Sequence, residues 1–419
     1  MPDAHVLSQG DEVVTGQIAD TNAAWLSDQL TTIGFTVRRH LSVGDRLPDL
    51  VEAFRDLSGR GGLCICTGGL GPTDDDLTTR AVADAFGRPL ELDDEALRQI
   101  RERYAHAGRE MPAVNERQAW LPRASTRLDN DWGTAPGFAF DEGETWFACL
   151  PGVPREMRNL FRERVLPVVR SRFALRPGRL VTLRCVGVGE SNLQQVLGGW
   201  QAAGCTLSFR TKLPENHIKL RFEPSVNGDA VLAATESILQ RVGRWVFTVE
   251  GAPSILVGFD TGGGSHTETV ARLVAARGHT LALAESCTGG RIAAACTAIP
   301  GSSQWFMESL VTYSNAAKVR LLGVAETDLD AHGAVSEPVA HQMAAGVRER
   351  AGTTWGIGVT GIAGPGGGSP EKPVGTVHIA VSGPGGETHR RFHLPGDRAR
   401  IQDLAAASAL EMLRQRLLA

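Results

Sequence analysis

Three times along this chain a short apolar or β-branched run breaks into a glycine-bearing turn. Leu63–Thr67 gives way to Gly68-Gly69-Leu70-Gly71, Thr280–Ala284 to Glu285-Ser286-Cys287-Thr288-Gly289-Gly290, and Trp355–Val359 to Thr360-Gly361-Ile362-Ala363-Gly364. A run of this kind, without polar alternation, fits a strand buried on both faces. Further strands are expected at Ala4–Leu7, Phe35–Ser42 and Thr145–Leu150. Helical patterns fall at Thr21–Ile33, Pro48–Ser58, Asp75–Phe86, Asp93–Gly108, from Pro154, and at Arg291–Ile299. The alternation predicts α/β architecture, with parallel sheets covered by helices on both faces.

A chain of 419 residues is too long for one hydrophobic core. Residues 1–170 form the first α/β domain in this reading, and 266–419 the second. Between them, 171–250 read as a small α+β domain. It has strands at Leu180–Val186 and His217–Phe222 and helices at Ser191–Gly198 and Ala230–Val242. The glycine-rich stretch 251–265 reads as a linker.

A formal charge of −4 gives no basic footprint, so direct nucleic-acid binding is not expected. No apolar run reaches membrane-span length and the first residues lack a signal pattern. Seven cysteines, an odd number lying mostly in apolar runs, fit free thiols in a reducing compartment. A cytoplasmic location is expected. Cys64 and Cys66 are expected on opposite sides of their strand, unable to share a metal.

Ligands in open parallel sheets bind where strands end and helices begin. Gly68, Gly69, Gly71 and Thr73 occupy such a turn, and their backbone N–H groups suit an anion such as phosphate. The turn is neither a Walker loop nor a dinucleotide fingerprint. Asp74, Asp75 and Asp76 follow it. Three adjacent acids beside a phosphate cradle call for a cation, or else form a solvated helix start where acids are favourable. Asp74 suits the second reading and Asp76 the first. Gly10-Asp11-Glu12 adds a polar lip, and Gly44-Asp45 brings another carboxylate to the same edge.

These motifs, with Gly133-Thr134-Ala135-Pro136-Gly137 and Leu150-Pro151-Gly152-Val153-Pro154, resemble the molybdopterin-binding fold of molybdenum-cofactor biosynthesis proteins. They are more similar still to the front of the CinA-like competence/damage-inducible family. The resemblance implies a nucleotide or pterin site, and in some members a metal-dependent ADP-ribose pyrophosphatase. It places functional acids at Asp45 and Asp76, around a divalent ion of the Mg²⁺ or Co²⁺ kind.

Ser286 admits two readings. A serine at a strand-to-helix turn is held toward a cleft beside unpaired N–H groups, which suits a nucleophile facing an oxyanion site. Alternatively it is an N-cap, with Gly289 and Gly290 for close packing. Downstream, Tyr313 and Lys318 lie five residues apart across another strand-to-helix junction. A serine needs a base, and a buried lysine with a lowered pKa can serve, with a tyrosine hydroxyl as relay. His332 is a lesser option as base. The loop carrying Thr360, Gly361 and Gly364 suits a phosphate or ribose.

Together these residues resemble the nicotinamide mononucleotide amidohydrolase family, the CinA C-terminal domain, over about residues 266–419. The resemblance implies metal-free hydrolysis of the nicotinamide amide to nicotinate mononucleotide and ammonia. Ser286 would be the nucleophile, and Tyr313 and Lys318 would activate it and protonate the ammonia. The N–H groups after Ser286, with Thr288, would hold the oxyanion. Arg398 in Gly396-Asp397-Arg398 would meet the phosphate. Two departures stand out: Gln402 occupies a position usually basic, and Thr360 one usually serine. The function so implied is pyridine nucleotide recycling by a homodimer. The competing expectation is a non-catalytic nucleotide- or pterin-binding adaptor linked to competence or DNA damage.

Overall fold

The chain parts into two compact units, Met1–Arg179 and Leu180–Ala419. The structure, a computed structural model, describes residues 1–253, 256, 260–261 and 263–419. The linker expected at 251–265 therefore lies partly outside the described residues.

The strands of the first unit are β1 (Asp3–Gln9), β2 (Thr36–Val43), β3 (Gly62–Thr67), β4 (Leu90–Leu92), β5 (Trp120–Pro122), β6 (Thr126–Leu128), β7 (Gly137–Glu142) and β8 (Thr145–Leu150). Six form one sheet in the order β2-β1-β3-β8-β7-β6, while β4 and β5 make a separate ladder. The pairs β1–β2, β1–β3 and β3–β8 are parallel, as the alternation predicts. The β6–β7 and β7–β8 pairs are antiparallel. Only Gly143 and Glu144 separate β7 from β8, and a two-residue connection can join only antiparallel strands.

Both faces of this sheet are covered. Val6, Ile65 and Ala148 pack with Leu26 and Leu30 of the helix Thr21–Ile33 and with Met157 and Leu160. On the other face Leu7, Cys64, Cys66 and Phe147 pack with Phe54 and Leu57 of the helix Leu47–Ser58 and with Val82. The opposed placement expected for Cys64 and Cys66 is wrong. Side chains two apart on a strand share a face, and the two sulfurs lie 3.8 Å apart, with Ile65 turned to the other core. Burial pushes both thiols far above the usual range, so they pack as small apolar groups.

In the second unit β9 (Arg179–Val186), β10 (Cys205–Lys212), β11 (Glu215–Phe222) and β12 (Val246–Glu250) form a sheet in the order β10-β11-β9-β12. Its apolar face packs under Leu193 and under Val231 and Ile238 of the helix Gly228–Val242. The edge strand β10 escaped the sequence reading because its half-exposed alternation carries Arg210 and Lys212, charges that protect an edge from pairing.

The remaining strands are β13 (Leu281–Glu285), β14 (Phe306–Val311), β15 (Trp355–Gly361), β16 (Thr376–Gly383) and β17 (Gly386–His393), in the order β14-β13-β15-β16-β17. Here too a parallel core, β14-β13-β15, is extended by an antiparallel hairpin. Leu281, Leu283, Ile357 and Ile379 face the helix Arg398–Leu418 through Leu410 and Leu413. Ala282 and Ala284 face the helix Glu337–Ala351 through Val339 and Met343. That helix lies close to β15, since a Cβ on Gly358 would fall 2.5 Å from the Ala340 carbonyl oxygen.

The long C-terminal helix carries a buried ionic network. Glu411 accepts from Arg414 at 2.8 Å through both oxygens and lies 2.9 Å from His266 Nε2. Burial alone would push the Glu411 carboxyl up, but His266 and Arg414 outweigh it and hold it below its ordinary value of 4.5. Its contribution to stability is complete above that value and is lost as pH falls through the lowered one. Replacing Glu411 by Ala leaves a buried guanidinium unpaired. The expected cost is about 3–5 kcal/mol, read from urea unfolding at neutral pH.

Candidate active sites

In the second unit the carboxyl ends of β13, β14 and β15 meet in a cleft of about 280 Å³. Ser286, Tyr313, Lys318, Ala334, Thr360, Gly361, Gly364 and Arg398 are among its lining residues. Ser286 follows β13 directly, and the two readings of it are separated by Glu285. The Glu285 carboxylate, fully buried at the last position of the strand, accepts from the N–H groups of Gly290 (3.0 Å), Ile292 (3.3 Å) and Ala293 (2.9 Å). It caps the helix Arg291–Thr297, so the Ser286 hydroxyl is not spent on capping.

That hydroxyl lies 3.1 Å from Lys318 Nζ. Lys318 is 1% exposed, and its amine also donates to the Thr312 carbonyl at 2.7 Å. The helix Asn315–Leu322, capped by Ser314, aims the lysine back under the strand ends. Burial lowers the Lys318 pKa from the ordinary 10.5, opposed only by the Cys287 thiol among the causes that act on it. Cys287, although adjacent to Ser286, is pushed by burial up to about 12 and stays a protonated thiol.

Tyr313 is 63% exposed at the cleft mouth. Its hydroxyl accepts from Arg398 Nη2 at 2.9 Å, and Arg398 Nη1 donates to the Gly364 carbonyl at 2.7 Å. Arg398 and Tyr313 thus form a pair at the entrance, while Ser286 and Lys318 form the inner pair. Thr360 Oγ1 donates to the Ala334 carbonyl at 2.8 Å and so fixes the opposite wall. Thr288 is fully buried with an unpartnered hydroxyl, and Gly289 and Gly290 close the turn; none of the three is among the lining residues. The exposed His332 closes the helix Glu326–His332 and does not line the cleft either. Gln402, at the position where a basic residue was expected, donates from Nε2 to the Cys287 carbonyl at 2.7 Å. It holds the turn after Ser286 in place.

The first unit has its own cleft, of about 380 Å³, at the carboxyl ends of β1 and β3. Glu12, Asp45, Gly68, Gly69, Gly71, Asp75 and Asp76 line it. Asp11 and Asp45 clamp their two loops together, each carboxylate accepting the other's backbone N–H at 2.9 Å. Asp76 Oδ2 accepts from the Thr73 N–H at 2.8 Å and the Thr73 hydroxyl at 2.6 Å. Gly71 permits this turn, because a Cβ there would lie 2.3 Å from that oxygen. Asp74 instead points outward to Arg117 at 2.6 Å.

Gln9, unnoticed in the sequence, is the hub of this cleft. Its amide donates at 2.8 Å to both Asp45 Oδ1 and the Asp75 carbonyl, and accepts from the Thr78 hydroxyl. A buried amide at the end of β1, just before Gly10-Asp11-Glu12, was the available signal. The donors are all oxygens and make no three-ligand protein cage among the described residues. Such a set fits a hard cation held by one or two carboxylates and completed by a substrate's phosphates.

A profile described as "Probable molybdopterin binding domain" matches residues 5–171, and one for the CinA C-terminal domain matches 264–417. A CinA-like protein of Anaeromyxobacter sp. (strain K) is 43% identical over 416 residues, covering 98% of each chain. The chain belongs to the CinA family. A second CinA-like protein, from Anaeromyxobacter dehalogenans (strain 2CP-1), is 44% identical over 414 residues, again over 98% of both chains. Among solved structures, the competence/damage inducible protein CihA of Agrobacterium tumefaciens is 43% identical. It spans 36% of this CinA-family chain and 95% of its own, with a TM-score of 0.35. No helix among the described residues is long and apolar enough to cross a membrane.

Proposed function

We propose that the second unit hydrolyses the amide of nicotinamide mononucleotide to nicotinate mononucleotide and ammonia. The observation that carries this reading is the buried Lys318 amine 3.1 Å from the Ser286 hydroxyl inside a cleft. Neutral Lys318 takes the Ser286 proton as Oγ attacks the amide carbon. The developing oxyanion is held by the N–H of Cys287, which lines the cleft in the turn that Gln402 fixes; the Gly289 and Gly290 N–H groups are already taken by the Ser286 carbonyl and the Glu285 carboxylate. Lys318 then returns its proton to the departing ammonia, leaving an acyl-serine. Water hydrolyses that ester with Lys318 again as base, and the nicotinate carboxylate is released. At the mouth, Arg398 supplies a forked donor for the nucleotide phosphate, oriented by Tyr313 and the Gly364 carbonyl. This support assigns Tyr313 to substrate holding more than to proton relay. Ammonia release from nicotinamide mononucleotide by the purified chain with EDTA present tests the reading. Absence of release, with the fold intact, would turn it into a binding module.

For the first unit the carboxylate-lined cleft supports a metal-dependent ADP-ribose pyrophosphatase. A divalent ion would neutralise the pyrophosphate oxygens when bound, with Asp45 and Asp76 as its holders. Gln9 and Asp11 orient Asp45, and Thr73 orients Asp76. Asp45→Asn and Asp76→Asn are each expected to lower ADP-ribose hydrolysis at least about a hundredfold, the effect of several kcal/mol of lost charge stabilisation. EDTA should abolish this activity and spare the amidase. Hydrolysis unchanged in both variants would leave the cleft a nucleotide- or pterin-binding site. Both substrates are pieces of one coenzyme, which supports a place in its recycling. Seven free cysteines among the described residues support a reducing, cytoplasmic setting.

A further inference from the structure

Away from both clefts, the helix Glu337–Ala351 and the hairpin β16–β17 bring imidazoles and carboxylates together. Glu337 and His341 lie one turn apart on the helix and share a face. His389 stands opposite on β17, where it pairs with Ala380 of β16. Glu337 Oε1 is 3.5 Å from His389 Nδ1 and 3.9 Å from His341 Nε2. One ligand atom from each of the three residues lies within 4.8 Å of the others, the one set of three such groups found among the described residues. Zinc bonds of about 2.0–2.1 Å in a tetrahedron set ligand atoms about 3.3 Å apart. Glu337 Oε1 is already within about 0.6 Å of that spacing from both nitrogens, and the two nitrogens, within 4.8 Å of each other, approach it by rotation of the half-buried rings.

The outer nitrogens are also provided for. His341 Nδ1 lies 2.6 Å from Glu387 Oε2, and His389 Nε2 lies 3.0 Å from Nδ1 of the buried His378. A proton on each of these outer nitrogens satisfies those contacts and turns the lone pairs of His341 Nε2 and His389 Nδ1 toward Glu337. Metal-binding histidines are oriented in this way, by a carboxylate or another acceptor on the far nitrogen. Ordinary ion pairs between exposed Glu337 and the two rings would need neither of these outer partners.

We propose that Glu337, His341 and His389 form a binding site for a Zn²⁺-class ion, with Glu387 and His378 as positioning residues and a fourth coordination position open. Two imidazoles select zinc, cobalt or nickel over magnesium or calcium. The ion would pin the first turn of the helix Glu337–Ala351 to the hairpin. That turn follows Ala334 and Val335 of the cleft wall, and His378 pairs across the sheet with Thr360.

Co²⁺ titration of the full, chelator-treated chain, read by visible absorption, tests the site. One equivalent with the bands of a four-coordinate ion is expected, displaced by Zn²⁺. His341→Ala and Glu337→Gln, both at half-buried or exposed positions, should remove that signal while the circular dichroism and melting stay as in the wild type. Glu387→Gln should weaken binding about 10–100-fold. Absence of the four-coordinate signal in the wild type overturns the proposal. So does its persistence in both His341→Ala and Glu337→Gln, which would place the ion elsewhere.

Discussion

Ser286→Ala is expected to abolish ammonia release from nicotinamide mononucleotide, lowering kcat by about 10⁴-fold or more. The size follows from the position of the hydroxyl. It is the group in the cleft that combines reach to the substrate with a buried amine at hydrogen-bond distance. Cys287 cannot substitute, because burial holds its thiol protonated up to about pH 12. Alanine removes one oxygen from a turn whose other supports remain: the Glu285 cap and the Gln402 bond to the Cys287 carbonyl. The melting temperature should therefore stay close to the wild type, and nicotinamide mononucleotide should still bind at Arg398. Ammonia production and ligand binding measured on one preparation separate the chemistry from the fold. Retained turnover would remove the serine from the mechanism.

Much of the two clefts was legible because they form where strands end. Apolar runs ending in glycine turns located Ser286, Asp76 and the loop at Thr360, and the structure sets each at the carboxyl end of a parallel strand or just beyond it. What stayed hidden depends on the third dimension. Glu285 reads as the first residue of the turn after the strand, yet its carboxylate caps the next helix and so frees Ser286. Gln9 reads as a polar strand end, but it joins loops 36 and 66 residues away. Gln402 reads as a lost basic residue and proves to be a brace for the turn at Cys287. Tyr313 reads as a partner for Lys318 because both border one junction, but its hydroxyl reaches Arg398, 85 residues on. The Cys64 and Cys66 error was of another kind. The period of a strand is two, so the sequence alone places both thiols on one face.

Lys318→Arg is expected to lower kcat by about 10²–10⁴-fold while leaving KM within a small factor. Arginine keeps a cation under the strand ends, but its guanidinium does not give up a proton in the working range and cannot act as base. The pH profile carries the sharper sign. In the proposed mechanism turnover requires the neutral amine, so kcat/KM should rise with pH through a midpoint below the ordinary lysine value of 10.5 and then level off, because burial lowers this group. Lys318→Arg should lose that limb, whereas a merely structural lysine would leave its shape unchanged. Stability moves in the same direction. Between the lowered value and 10.5 the unfolded chain binds more protons than the folded one, so stability rises with pH across that window and this group leaves it unchanged below and above. Lys318→Met would relieve this dependence. It would also strip a donor from the Thr312 carbonyl, at a cost of about 1–3 kcal/mol. A shared limb in kcat/KM and in unfolding free energy, absent from both variants, would tie the proton at Lys318 to folding and to turnover at once.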